Sequence, residues 1–497
     1  MKESSKEGPL KSGVFFSKTA STKQKEIGFH VPGHVGARFF DDRDCRRLID
    51  EDTTELSSTD DLHDPKGPVL ESLRFSAEIF GSGYSFYLCS GTTTGLRVML
   101  SAVLDESSVL LLYRPVHMSV VWTLSIIGCR HLFLSNETEG PDVLSPLGSP
   151  DVKELEEFLA GHPEVTDVIV TSPDYYGRCA NLSEQAQVAH RHGCRLLVDE
   201  AHGAHFAFGG ISFPETAMRA GADIAVQSLH KTLPALTPAA ILHVSREADQ
   251  CGRVSRSRIK ENLRVFETSS PSFSIAASSD LAIRRMKEMG PEAFERAAGR
   301  VRVLADELGH IPGISVGDPN DTYARDPLRL TIHTEGSGFF APDIRDALER
   351  RGIYIEFADP VRLLAIFSVL HENREFETFS IAMKDILDHP EKEGLGCPER
   401  LFEITRSMTR AYASCPESII PLRNAVFGRH MSSSSPLSDC AGKISARPVA
   451  FYPPGIPVIW PGEKISEELA ELLIRAQALG LCINGLSNGL FVSLDLE

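Results

Sequence analysis

Long apolar runs are missing from this chain. No stretch of its 497 residues approaches the roughly 20 apolar residues with which a helix crosses a bilayer, so a membrane-spanning helix is not expected. Basic charge is also in deficit. The 51 Lys and Arg against 68 Asp and Glu leave a net charge of −17, which disfavours general affinity for nucleic acid or an anionic membrane. The ten cysteines include no Cys-x-x-Cys pair and no compact Cys/His set of zinc spacing, pointing to a reducing compartment rather than a disulfide scaffold or zinc module. The opening Met1-Lys2-Glu3-Ser4-Ser5-Lys6-Glu7 is polar and carries acids, unlike a secretory signal or an acid-poor transit peptide. The cytoplasm is the expected location.

What is present is the composition of a soluble globular protein, 24% charged and 42% hydrophobic, with length enough for two or three domains. No repeat of fixed period is evident. From Tyr84 to about His243, short apolar runs alternate with helix-like stretches, as in βα units with a largely parallel sheet. The predicted strands are Tyr84 to Leu88, Ser108 to Tyr113, Asp167 to Thr171, Arg195 to Asp199, Ile224 to Val226 and Ala239 to His243. Functional residues are expected at their C-terminal ends. Ser279 to about Ile311 reads as long helices that could connect two domains, and Pro327 to Phe367 suits a smaller α/β region. A boundary is expected near His389-Pro390-Glu391-Lys392-Glu393-Gly394, and Met431-Ser432-Ser433-Ser434-Ser435-Pro436 reads as an exposed loop.

The chemistry starts from Lys231, in Ser228-Leu229-His230-Lys231-Thr232, and from Asp199, 231 − 199 = 32 positions earlier at the end of Arg195-Leu196-Leu197-Val198-Asp199. A lysine amine can hold an aldehyde as a Schiff base, and a carboxylate can keep a pyridinium nitrogen protonated. Together they suggest a pyridoxal phosphate (PLP) site. Alone, each has an ordinary explanation, as a solvated lysine and as a turn or helix cap.

Gly91-Thr92-Thr93-Thr94-Gly95 lies between a strand and a helical pattern, where amides and hydroxyls at a helix N-terminus suit a phosphate. An ordinary Gly/Thr cap explains this segment equally well, but Ser228 and His230 add two groups that could converge on the same anion. His117, after another strand, could stack on a flat ring or be a half-buried histidine. Asp199-Glu200-Ala201-His202-Gly203-Ala204-His205 is dense in ligand types. A metal site is disfavoured there because His202 and His205 lack a clear third ligand nearby.

Taken together, these residues resemble the bacterial-type ornithine/lysine/arginine decarboxylases, PLP enzymes of the aspartate aminotransferase fold (fold type I). The resemblance is carried by His30-Val31-Pro32-Gly33-His34-Val35-Gly36, Asp60-Asp61-Leu62-His63, Phe80-Gly81, Ser90-Gly91-Thr92-Thr93, Val198 to His205, Gly221-Ala222-Asp223, Ser228 to Leu233, Thr268 to Ser272, Tyr452 to Pro457 and Pro461-Gly462-Glu463. It implies an α/β fold with an N-terminal segment (1–65), a large PLP-binding domain (66–295), a small α/β domain (296–390) and a C-terminal decarboxylase-type domain (391–497).

By this resemblance Lys231 carries PLP, Asp199 pairs with its pyridine nitrogen, His117 stacks on the ring, and His202 sits beside it. Thr92, Thr93, Ser228 and His230 are expected to bind phosphate. Lys231 or His117 would return the proton to Cα. The implied reaction is decarboxylation of a basic amino acid, arginine to agmatine ahead of lysine or ornithine. Another fold-type I reaction, aminotransfer or lyase, and a non-catalytic regulatory paralogue stay open. The family's acid-inducible members carry an extra N-terminal domain that supports large assemblies; here the His30 motif begins near residue 30, so a homodimer with active sites at the subunit interface is expected. Three positions depart from the family pattern: Met118 stands for the common Lys, Asp174 for Thr, and Arg447 for an acid. Arg447 could repel a basic substrate, or simply face solvent. Glu356 matches an acid common in the family.

Overall fold

The structure is a computed structural model that describes residues 27–35, 43–44, 46, 52–56, 58–134, 151–317, 324–398, 401–452 and 455–495. The segment 1–26, Gly36, Pro453 and Pro454, on which part of the sequence reading rests, lie outside the described residues.

The centre is a seven-stranded sheet. Its order is Tyr84–Leu88, Ala240–Val244, Ile224–Ser228, Arg195–Asp199, Asp167–Thr171, Val109–Tyr113 and Arg130–Leu134. Ala240–Val244 alone runs against the others, pairing antiparallel with both neighbours; the remaining pairs are parallel. All six predicted strands form. The sequence reading missed Arg130–Leu134, an edge strand that opens on an exposed arginine and carries partly exposed residues, so it lacks the apolar run of its neighbours.

Those runs exist because both faces of the sheet are covered, and alternate residues must therefore all be apolar. Leu110, Leu112, Ile169, Leu197 and Val226 pack into one core cluster with Val98, Leu100 and Val120, from the helices Gly91–Val103 and Met118–Ile127. Val109, Leu111, Val168, Val170, Leu196 and Val198 pack on the opposite face with Leu155, Leu159 and Val188, from the helices Val152–Gly161 and Leu182–Arg191. Gly95 sets how closely its helix approaches. A Cβ there would lie 2.4 Å from Val226 Cγ1 and 2.7 Å from Leu88 Cδ1.

The predicted long helices are Phe273–Met289 and Pro291–Gly309, broken at Gly290. They lead to a four-stranded antiparallel sheet, ordered Ser315–Val316, Arg329–His333, Arg362–Ile366 and Phe357–Ala358. Ile27–Phe29 adds in parallel to Ile353–Ile355. Beyond the short helix Pro390–Glu393, the chain forms the helices Leu401–Ala413 and Glu467–Ala478 and two three-stranded sheets. In one of these, Ser432–Ser435 is a strand paired with Phe491–Leu494, which corrects the loop expected there. Serines carry no apolar alternation, and the pairing is made by backbone groups of a partner strand 60 residues away in register (Ser433 with Ser493).

Candidate active site

Parallel strands deliver their C-terminal ends to one edge of the sheet, where the following loops converge. Asp199 ends its strand there, and Ser228 ends the neighbouring one and leads into the helical turn Leu229–Thr232 that carries Lys231. His117 caps the helix Met118–Ile127, its Nδ1 accepting the Ser119 N–H at 3.2 Å. Asp199, Lys231 and His117 line one cleft of about 300 Å³ with Gly91, Thr92, Thr93, His202 and His230. Ser228 does not line it: fully buried, it lies behind the wall, its hydroxyl 2.9 Å from His230 Nδ1. A larger open groove of about 840 Å³ lies between Val152–Gly161 and Leu182–Arg191 and contains none of the predicted site residues.

The helix N-terminus in the cleft is poised for an anion. Its N-cap, Ser90, makes no side-chain cap, because its hydroxyl is hydrogen-bonded to Glu267. The first-turn amides are thus left without a side-chain acceptor, and they carry the positive end of the helix dipole. Gly91 makes the turn into the helix at φ 78°.

The Lys231 amine lies 3.0 Å from His202 Nε2. Burial lowers its pKa against the pull of Asp199, so the amine gives up its proton more readily than a surface lysine. Burial raises the Asp199 carboxyl, while Lys231 opposes the rise. His117 lines the cleft; burial of its imidazole, together with the nearby Lys231, pushes it down to about 4. His202 is held well below its usual range by burial and by the cations beside it. His202 and His205 therefore do different things: His202 touches Lys231 and Arg329, and His205 pairs with Asp326 at 2.8 Å.

Arg329 and Tyr175 join the cleft without a sequence signal, while Glu356, Asp174 and Arg447, named in the sequence, take the following places. Arg329, from the small sheet, donates to His202 Nδ1 and to the Tyr175 carbonyl. Tyr175 donates its hydroxyl to Glu356 at 2.7 Å, and Glu356 also accepts the Val31 N–H at 3.0 Å. Gly33 donates to the His230 carbonyl at 2.9 Å. The His30 motif, noticed only by resemblance, thus braces the Lys231 turn. Asp174, the acid in place of threonine, lines the cleft; burial raises it to about 6, and its Oδ2 has no hydrogen-bond partner among the described residues. Arg447 is exposed and absent from the cleft wall. No sequence signal marks Arg329, which lies in an ordinary strand.

A family model described as Orn/Lys/Arg decarboxylase, major domain, matches residues 15–305, more than half of the chain, and one described as Orn/Lys/Arg decarboxylase, C-terminal domain, matches residues 405–480. The chain belongs to the Orn/Lys/Arg decarboxylase family. The arginine decarboxylase of Bacillus subtilis is 31% identical to it, over 96% of this chain and 95% of that one. The constitutive lysine decarboxylase of Escherichia coli is 24% identical, over 91% of this chain and 75% of that one. The solved structure of the E. coli enzyme superposes with a TM-score of 0.75 at 20% identity, over 97% of this chain and 81% of that one. A solved SPT with PLP superposes at 0.55 and 17% identity, over 74% of this chain and 88% of that one.

This decarboxylase therefore has the fold-type I architecture of PLP enzymes, and its cleft fits that cofactor in kind. The uncapped helix N-terminus answers a phosphate, the buried Asp199 answers a ring nitrogen, and the accessible face of His117 answers a flat ring.

Proposed function

We propose that this decarboxylase removes the α-carboxylate of arginine, releasing carbon dioxide and leaving agmatine, with PLP bound in the cleft of Lys231. The observation that carries the reading is the meeting of Lys231, Asp199, His117 and the uncapped Gly91–Thr93 turn in a single cleft. Arginine is favoured over lysine by the higher identity to the B. subtilis arginine decarboxylase than to the E. coli lysine enzyme. The outward position of Arg447 keeps its reversed charge off this chain's cleft wall, consistent with a cationic substrate.

When bound, PLP supplies an electron-accepting ring for the pair released as the bond between Cα and the carboxylate breaks. Lys231 would hold the cofactor through its aldehyde carbon. Asp199, buried at the end of its strand, would keep a proton on the pyridine nitrogen. His117 would cover a ring face, with His202 beside it in the same cleft. Thr92, Thr93, the helix amides and His230, backed by Ser228, hold the phosphate. Lys231 would return a proton to Cα, since burial makes its amine exchange a proton more readily than a surface lysine, whereas His117 is pushed down to about 4.

We read residues 66–295 as the cofactor-binding unit, with 296–390 and 391–497 closing over it. The same reading includes a homodimer in the cytoplasm, for which light scattering and cell fractionation are the direct tests. The reaction is tested by incubating PLP-loaded wild type and Lys231→Ala separately with arginine, lysine and ornithine, measuring carbon dioxide and identifying the amine. Agmatine from arginine, lost in the variant, supports the assignment. An oxo acid product, or release from lysine alone, overturns it.

A further inference from the structure

Among the described residues, Arg329 is the one Arg or Lys, apart from Lys231, that is buried against His202, and no part of the proposed reaction uses it. Its side chain is fully buried and tied on three sides. One terminal nitrogen donates to the Tyr175 carbonyl, the other donates to His202 Nδ1, and Nε faces Asp326 Oδ2 at 3.4 Å. Asp326 is itself fixed, accepting the Leu328 N–H at 2.9 Å and meeting His205 Nε2 at 2.8 Å. Room for the arginine stem comes from Gly177, where a Cβ would lie 2.9 Å from Arg329 Cδ and the backbone holds φ at +88°.

A guanidinium can only donate hydrogen bonds and does not lose its proton. His202 Nδ1, facing it, must present a lone pair. In a neutral imidazole the proton then sits on Nε2, and His202 Nε2 is the atom 3.0 Å from Lys231 Nζ. An ammonium is also donor-only, so two donors would collide there unless the amine offers its own lone pair.

We propose that Arg329 is a positioning residue: it locks His202 in the Nε2–H tautomer, whose N–H points at Lys231 and holds the amine in its neutral, nucleophilic form. This rests on the reading of Lys231 as the cofactor lysine. The neutral amine is the form that captures an aldehyde: its nitrogen bonds to the carbonyl carbon, and both amine hydrogens leave with the carbonyl oxygen as water. The other charged or titratable groups bearing on the pair are Asp199 and Glu356, which favour the ammonium, and His117 and His230, which feel the lysine charge. The Tyr175 ring stands edge-on to His202 at 5.5 Å. The burial of Lys231 and the Arg329 charge act in the same direction as the lock.

The test is the rate at which the cofactor-free full-length chain captures PLP, followed by absorbance from pH 6 to 10. Without the arginine, His202 can move its proton to Nδ1 and offer Nε2 to the ammonium. Arg329→Met is therefore expected to move the midpoint of the profile up by at least one unit, about a tenfold loss of capture rate below the midpoint. Arg329→Lys keeps a cationic donor and is expected to retain the wild-type midpoint. In a His202→Gln background the Arg329→Met shift should shrink by at least half, separating tautomer control from the simple loss of a charge. A wild-type midpoint in Arg329→Met, or an undiminished shift in the His202→Gln background, overturns the proposal. If Arg329→Met does not fold, nitrogen-15 NMR of His202 in the wild-type chain decides, a proton on Nδ1 being the adverse result. Lys231→Ala separates the two readings: capture that survives it refutes the cofactor lysine itself, whereas capture that requires Lys231 with an unmoved midpoint refutes only the lock.

Discussion

The guanidinium of Arg114 and the carboxylate of Glu463 form a two-pronged ion pair, both hydrogen bonds 2.5 Å long and both side chains almost wholly buried (1% and 4% exposed). Arg114 follows the strand Val109–Tyr113 and lies three residues before His117; Glu463 belongs to the C-terminal part of the chain. Phe133 and Trp460 flank the guanidinium, each ring centre 4.9 Å away, and Glu463 also accepts the Trp460 N–H at 2.6 Å. The pair therefore clasps the C-terminal region to the loop that presents His117.

Glu463→Ala should be costly, because it leaves an unpaired buried cation; about 3–5 kcal/mol is expected. Replacing both partners with apolar residues, Arg114→Met with Glu463→Leu, should recover at least half of that loss. Urea denaturation of wild type and the two variants measures both. A Glu463→Ala variant as stable as wild type would mean that the clasp is not structural.

Asp199→Asn keeps the shape of the side chain and removes its charge. Loss of a preorganised charge in a dry site typically costs about 10²–10³ in rate, and that range is expected for kcat, with PLP retained through Lys231. Asp199→Glu should regain part of it. Undiminished kcat in Asp199→Asn would remove the carboxylate from the proposed chemistry.

Asp174 gives a pH signature. Burial lifts its folded-state pKa from 3.8 to about 6, so the folded chain binds the proton more tightly than the unfolded chain. The resulting stability is full below about pH 4 and is lost as pH rises through 6. Asp174→Asn can still accept the Arg178 N–H, made now at 2.9 Å, and has no charge to bury. It should leave stability unchanged at pH 4 and raise it by up to about 3 kcal/mol at pH 7.5. Denaturation midpoints at the two pH values check this; equal effects at both would mean that the carboxyl titrates normally.

Gly95→Ala forces a methyl group against Val226 and Leu88 at under 3 Å. Overpacking of this kind costs about 1–3 kcal/mol, and lifting the helix off the sheet would displace Thr92 and Thr93 at its N-terminus. PLP should bind at least several-fold more weakly. Fluorescence titration of the cofactor reads the effect, and unchanged affinity would separate the helix position from phosphate binding.

Much of the large sheet was legible in the sequence, because Val168-Ile169-Val170 and Leu196-Leu197-Val198 are apolar on both faces, a local pattern that only a doubly covered strand requires. Lys231, Asp199, His117 and the Gly91 turn were legible for a related reason: each follows such a strand, and parallel strands bring their ends to one edge. The antiparallel run of Ala240–Val244 was not, since strand direction leaves no periodic mark. Nor was the strand Ser432–Ser435, whose order comes from a backbone partner.

Which residues are able to do the chemistry, and the local elements that hold them, follow from the order of amino acids along the chain. Their company comes from the packed fold: Arg329 on His202, Glu356 on Tyr175, Glu463 on Arg114. Those pairs are separated by 127, 181 and 349 positions. Donor and acceptor chemistry at such a separation has no period along the chain, and becomes specific only when packing brings the two groups into the same small, dry space.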